Sequence, residues 1–179
     1  MIHILGYFYF TPITAVILGE LTGQWLHDAN AAFWMRRNKG ILEPEARLWV
    51  VWLATPFMVT GVVVLGYALE NGYHYMVTAV AWGLYVFGIM VSTVGLNAYV
   101  LDSYPEGSGE VSSWLNFART TGGFVVTYVQ IRWAKAMGPQ NSFGVQAGII
   151  GAVFPLIIVL QIFGPRMRKW GGKLHFKTN

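Results

Sequence analysis

The apolar residues of this chain come in runs about 20 long, the length needed to cross the hydrocarbon core of a bilayer. Only 11% of the 179 residues are charged and 55% are hydrophobic, against roughly 25% charged in ordinary soluble domains. Such a chain cannot hide its apolar surface inside itself. The runs predict an all-α polytopic membrane bundle of five transmembrane helices, at about residues 4–26, 48–69, 75–98, 111–133 and 143–163. Residues 1–179 then form one transmembrane domain, with a basic tail at 164–179.

The connections between runs carry most of the charge. The segment 27–47 holds Asp28, Arg36, Arg37, Lys39, Glu43, Glu45 and Arg47 and is expected to sit in water. The connection 70–74 has no Lys or Arg, and 101–110 is a break marked by Asp102, Pro105, Gly107 and Gly109. The connection 135–142 turns at Gly138 and Pro139, and the tail carries Arg166, Arg168, Lys169, Lys173 and Lys177 without an acid. Basic residues beside short loops favour the cytoplasm. The expected topology therefore has an outer start, an inner loop at 27–47, an outer turn at 70–74, an inner turn at 101–110, an outer turn at 135–142 and a cytoplasmic tail. Met1 runs almost directly into apolar sequence, with no Lys or Arg before it and no defensible cleavage site, so no cleaved signal peptide is expected.

The stretch from Tyr99 to Gln130 departs most from plain apolarity. At about 100° per residue, Asn116, Arg119, Thr120, Gly123, Thr127 and Gln130 share one sector of the fourth helix. Trp114, Phe117, Phe124, Val125 and Val129 lie outside it. One face thus suits lipid and the other protein or a wet cavity. Small and weakly polar residues also pack helices in bilayers, but an arginine inside a span is costly and usually functional. Asn116, Arg119, Thr120, Thr127 and Gln130 are accordingly candidates for a substrate or ion pathway, with Asn97 near the end of the third run. On the first helix Glu20, Gln24 and His27 share a face; Glu20 could carry a proton, since desolvation would raise its pKa, or could rest wet or ion-paired near the inner interface. The pairs Gly19/Gly23 and Gly144/Gly148 have the spacing of close helix packing.

Other chemistry lacks a constellation. The four histidines are scattered, so no metal site is expected, and there are no cysteines to make disulfides or thiolate sites. No phosphate-cradling glycine loop and no nucleophile elbow occur, so neither an enzyme nor a bound cofactor is expected. The basic tail suits anionic lipid rather than nucleic acid.

The segments Gly19–Asn30 (GELTGQWLHDAN), Arg36–Leu48 (RRNKG with EPEARL) and Leu101–Gly123 (LDSYPEGSGE with NFARTTGG) resemble the C-terminal half of fungal major facilitator superfamily transporters of the drug:proton antiporter type. The resemblance covers nearly the whole chain and implies a partial major facilitator fold, the five runs corresponding to helices 8 to 12. It implies a plasma-membrane protein that moves small organic molecules by proton-coupled alternating access, in partnership with an N-terminal half. It also implies gating roles for Asp28, Arg36, Arg37 and Asp102, with Arg36 or Arg37 pairing with Asp102. The superfamily's loop motif is loosely kept, because Asp28 and the arginine pair are further apart than in its compact form. The other reading is a non-transporting five-helix membrane protein or a truncated product, regulatory or without a role.

Overall fold

The computed structural model describes residues 2–37 and 44–171, with side chains described for 8–37 and 44–166. Helix α1 (Ile2–Arg37) leads through a 3₁₀ turn (Pro44–Leu48) into α2 (Trp49–Glu70). Helix α3 (Tyr75–Ser103) and a second 3₁₀ turn (Pro105–Gly107) then lead into α4 (Ser108–Gly171). No strand occurs among the described residues. Three described stretches, Pro44–Glu70, Tyr75–Ser103 and Pro105–Arg166, are long and apolar enough to cross a membrane. The expected first run begins among residues whose side chains lie outside the described ones. The expected fourth and fifth runs share one helix.

That helix is not one rod. At Gly138 the backbone swings to φ 82° and ψ 159°, a conformation essentially reserved for glycine, and Pro139 follows. The side-chain amides of Gln130 and Gln146 meet across the break, whereas residues 16 apart on a straight helix would stand about 24 Å apart. Residues 108–137 and 139–171 are therefore two antiparallel limbs of a hairpin.

Helix α3 is the axis of the bundle. Its Gly88 lies under Ala54 and Met58 of α2, while Gly61 of α2 lies on Ala81 and Tyr85, so α2 and α3 run antiparallel at close approach. On its other flank α3 meets Gly19 through Phe87 and Met90, and Gly23 through Val91 and Val94. Helix α1 thus runs parallel to α3, and the expected packing role of the 19/23 glycine pair is what the structure shows. The pair 144/148 behaves differently, because nothing stands within 4 Å of a Cβ built at either position. The limb 139–171 packs on α2 through Gly66, which approaches Phe143 and Gln140. Trp52 extends the contact, donating to Gln161 at 2.9 Å and meeting the Phe154 ring edge-on at 4.8 Å. Leu48, Val51 and Tyr99 form a core cluster with Ile157 and Leu160, and Val50, Ala54 and Val91 form another with Leu26 and Phe87.

Two expected boundaries move. Helix α1 does not end with its apolar run but continues to Arg37, because Ala29, Ala31 and Ala32 are strong helix formers that hydropathy does not register. Most of 27–47 is therefore helix rather than polar connection. Lys39 and Glu43 fall outside the described residues, as do the side chains of the tail beyond Arg166.

Candidate functional site: a charged junction and an open polar face

At one end of the bundle α1, the first 3₁₀ turn and α3 converge on a small set of polar side chains. Asn30 donates to the carbonyl of Ala46 at 2.6 Å and thereby ties α1 to the turn. Arg47 leaves the same turn, pairs with Asp102 at the end of α3, and brings its Nη1 to within 2.6 Å of His27 Nε2. His27 is only 6% exposed, and its Nδ1 stands 3.7 Å from the Asp28 carboxylate. Burial first, and then the neighbouring guanidinium, hold its pKa below the ordinary imidazole range, against the upward pull of Asp28 and Asp102. The same Nη1 stands 3.2 Å from Nδ1, so the guanidinium lies over a ring that its surroundings hold toward the neutral form. Glu45, on the same turn, is also buried; its Oε1 lies 2.8 Å and the Tyr99 hydroxyl 3.2 Å from where a Cβ on Gly164 would sit. The limb 139–171 thus closes over the turn from its other side.

Asp102 belongs to an ion pair, as expected, but its partner is Arg47 rather than Arg36 or Arg37. Both of those arginines are exposed on the last turn of α1, where the guanidinium of Arg37 stands 5.9 Å from the Trp34 ring. Cations at a helix C-terminus are favourably placed without an ionic partner, which is a sufficient account of both. The sequence held one cue to Arg47. A cation just ahead of a helix N-terminus opposes the helix dipole, so something else must hold it there.

The second feature is the limb 108–137. Glu110 occupies its first turn, a place favoured by the dipole. Through its middle the limb is exposed on both faces. Asn116, Arg119, Thr120, Gly123 and Thr127 are exposed, and so are Trp114, Phe117, Phe124, Val125 and Tyr128. Gly122 and Gly123 have no neighbour within 4 Å of a built Cβ. Thr127 returns its hydroxyl to the Gly123 carbonyl at 2.8 Å, so its polarity is satisfied on the helix itself. Gln130 is the exception, half-buried against Gln146. On α1, Glu20 and Gln24 are exposed while His27, expected on their face, turns into the junction; Asn97 is half-buried on α3. The structure therefore brings His27, Asp28 and Asp102 together with Arg47, and leaves Glu20, Gln24 and the polar face of 108–137 open.

Sequence reasoning missed Glu70. Its carboxylate accepts from the backbone N–H of Gln140 at 3.3 Å and lies against Gly138, capping the start of the limb 139–171 from the end of α2. A carboxylate just ahead of a turn with no basic residue was the available signal.

No family model matches the chain, and no solved structure matches it. It is 28% identical over 168 residues to an uncharacterized MFS-type transporter of Schizosaccharomyces pombe, covering 92% of this chain and 28% of that protein. It is 25% identical over 162 residues to the MFS-type transporter oryF of Aspergillus oryzae, covering 88% of this chain and 33% of the relative. With Dityrosine transporter 1 of Saccharomyces cerevisiae it shares 24% over 135 residues, 75% of this chain and 24% of that one. The chain thus spans about a third or less of the length of the curated relatives it matches. These relatives are named as transporters rather than enzymes, and the apolar helices agree with them: this is an integral membrane protein homologous to a segment of fungal MFS-type transporters.

Proposed function

We propose that the chain supplies part of the C-terminal half of a secondary active transporter, of the drug:proton antiporter type, that moves small organic molecules by proton-coupled alternating access. The observation that carries this reading is the limb 108–137. It has an amide, hydroxyl and guanidinium face, an apolar face opposite, and both stand exposed through its middle. Left against lipid, such a face costs several kcal/mol, about 2.5–3.5 for a mid-span arginine alone. A complementary set of helices covering it, with a wet path between, removes that cost. The length of the relatives supports a missing complement of this kind.

In this reading the five helical segments each cross the membrane, with 108–137 and 139–171 as separate crossings. Their alternating directions support it: α1 runs parallel to α3, while α2 runs antiparallel to both α3 and the last limb. The junction of His27, Arg47 and Asp102 then faces the cytoplasm with the tail, in the plasma membrane. Glu20, Gln24, Asn97, Asn116, Arg119, Thr120, Thr127 and Gln130 line or adjoin the path, and Asp28, Arg36, Arg37 and Asp102 take part in inner-side gating. The test is reconstitution. Proteoliposomes holding this chain alone should show no saturable, proton-dependent uptake, whereas the chain with a complementary N-terminal half should. Coupled uptake by the 179 residues alone would overturn the reading.

A further inference from the structure

The junction contains a contact that transport by itself does not explain. An arginine nitrogen stands 2.6 Å from the ring nitrogen of a histidine that is 6% exposed. The same nitrogen stands 3.2 Å from Nδ1, so it lies over the ring rather than along either lone pair, and so close an approach of a cation is tolerable only while the imidazole is neutral. Two cations at this distance, in a place shielded from water, repel strongly. Three charged groups face His27: Arg47 from the 3₁₀ turn, Asp102 from the end of α3 and, on its own helix, Asp28. Glu45, on the same turn, has its carboxylate beside Gly164.

We propose that His27 is a proton-operated latch: neutral, it holds the Arg47 guanidinium against its ring and clasps α1 to the start of α2 and the end of α3; protonated, it expels Arg47, pairs with Asp28 and releases the last turns of α1. No group is created or consumed in this exchange. One proton arrives on the imidazole, the close contact with Arg47 is lost, and a charge-assisted bond to the Asp28 carboxylate, now 3.7 Å away, takes its place. Arg47 keeps Asp102 as its counter-ion, so the arginine moves with α3 and the turn while α1 comes away. The Asn30 bond to the Ala46 carbonyl, one turn further along α1, and the stacking of Trp34 on Trp49 are then remaining ties and open with it.

The direction of the pH effect follows from burial and from Arg47, both of which favour the neutral ring in the closed junction. Closure is complete above the ordinary imidazole pKa of about 6.5 and is lost as pH falls through the lower value His27 has in the closed form. His27 lies beyond the expected first span, so protons reach it from the aqueous side. The inference concerns the junction alone and stands whether or not the chain transports anything.

Distance measurement on the full chain in lipid nanodiscs tests it. The absence of cysteine allows spin labels at M35C on α1 and L101C on α3, both exposed and outside the clasp. At about pH 7.5, above the ordinary imidazole value, one short population is expected. At lower pH, below that value, a second and longer population should appear and grow at the expense of the first. H27Q keeps a neutral polar side chain beside Arg47 and cannot be charged, so it should hold the short distance at both pH values; H27K should show the long distance at both. As a readout that needs no variant at position 27, the His27 imidazole followed by nitrogen NMR should titrate below about 6.5, with the midpoint of the distance change. A distance independent of pH in the wild-type sequence, or a pH response retained in H27Q, overturns the proposal.

Discussion

Substitution of alanine at Gly61 probes the crossing on which the bundle depends. A Cβ there would stand 2.6 Å from the backbone nitrogen of Tyr85 and 2.9 Å from the Ala81 carbonyl. Both are main-chain atoms that cannot rotate aside, so α2 must withdraw by about 0.8 Å to reach ordinary contact at 3.4 Å. Overpacking of this kind costs about 1–3 kcal/mol, and relief of glycine's backbone entropy returns about 0.5–1. The net loss should be about 1–2 kcal/mol, a factor of roughly 5–30 in the unfolding equilibrium. G144A is the matched control, because no atom lies within 4 Å of its Cβ, and it should be neutral or slightly stabilising. The assay is reversible unfolding of the full chain by sodium dodecyl sulfate in mixed micelles, followed by circular dichroism. G88A places a Cβ 3.0 Å from the Ala54 carbonyl on the same interface. Since one withdrawal of α2 relieves both clashes, the G61A/G88A double variant should cost at least about 0.5 kcal/mol less than the sum of the singles. Equal stability of G61A and G144A, or strict additivity in the double, would refute the geometry.

Three further outcomes are expected. Charge reversal D102R should be partly restored by R47E and not by R36E or R37E; with side chains 18% and 35% exposed the pair contributes no more than about 1 kcal/mol, so the exchange should be read as conformation at the junction by crosslinking as well as by unfolding. G138A should destabilise the hairpin by about 1–3 kcal/mol, since a Cβ there meets both a φ of 82° and the Glu70 carboxylate; E70Q, which weakens the charge at the following helix start, should cost less than about 1 kcal/mol. Single cysteines in lipid should react with a polar thiol reagent at positions 116, 119, 120 and 130 and stay protected at 117, 124 and 125, and equal reactivity around the helix would remove the case for a wet face.

Sequence pattern carried the all-helical class, the break at Gly138 and Pro139 and the close approach of Gly19 and Gly23, because each depends on local chemistry or on a spacing that any partner helix must respect. Three things escaped it, two of them because they depend on how distant segments meet. The extension of α1 to Arg37 escaped because hydropathy reports what lipid accepts, not where hydrogen bonding along a helix stops. The open space at Gly144 and Gly148 escaped because α2 engages another face of that limb, through Phe143 and the aromatic pair of Trp52 and Phe154. The choice of Arg47 over Arg36 or Arg37 by Asp102 was set by the turn at Pro44–Leu48, which tucks Arg47 under α3 while α1 carries its own arginines outward. Of the pathway candidates, the periodicity of 108–137 was plain, and its emptiness in the structure was not.

The length of α1 has a mechanical consequence. Thirty-six helical residues make a rod about 54 Å long in a hydrocarbon layer about 30 Å thick. From Ala15, where α1 is buried against the bundle, to Arg37 is a lever arm of about 33 Å. A tilt of 10° about that pivot, which shifts mid-helix side chains by an ångström or so, sweeps the arginine end through about 6 Å, roughly one helical turn. Helix α1 is thereby a pointer whose small rotations inside the bundle are written large at its tip, where the Trp34, Trp49 and Trp52 rings, stacked at 6.5 and 5.7 Å, would slide past one another and report the motion as a change in intrinsic fluorescence.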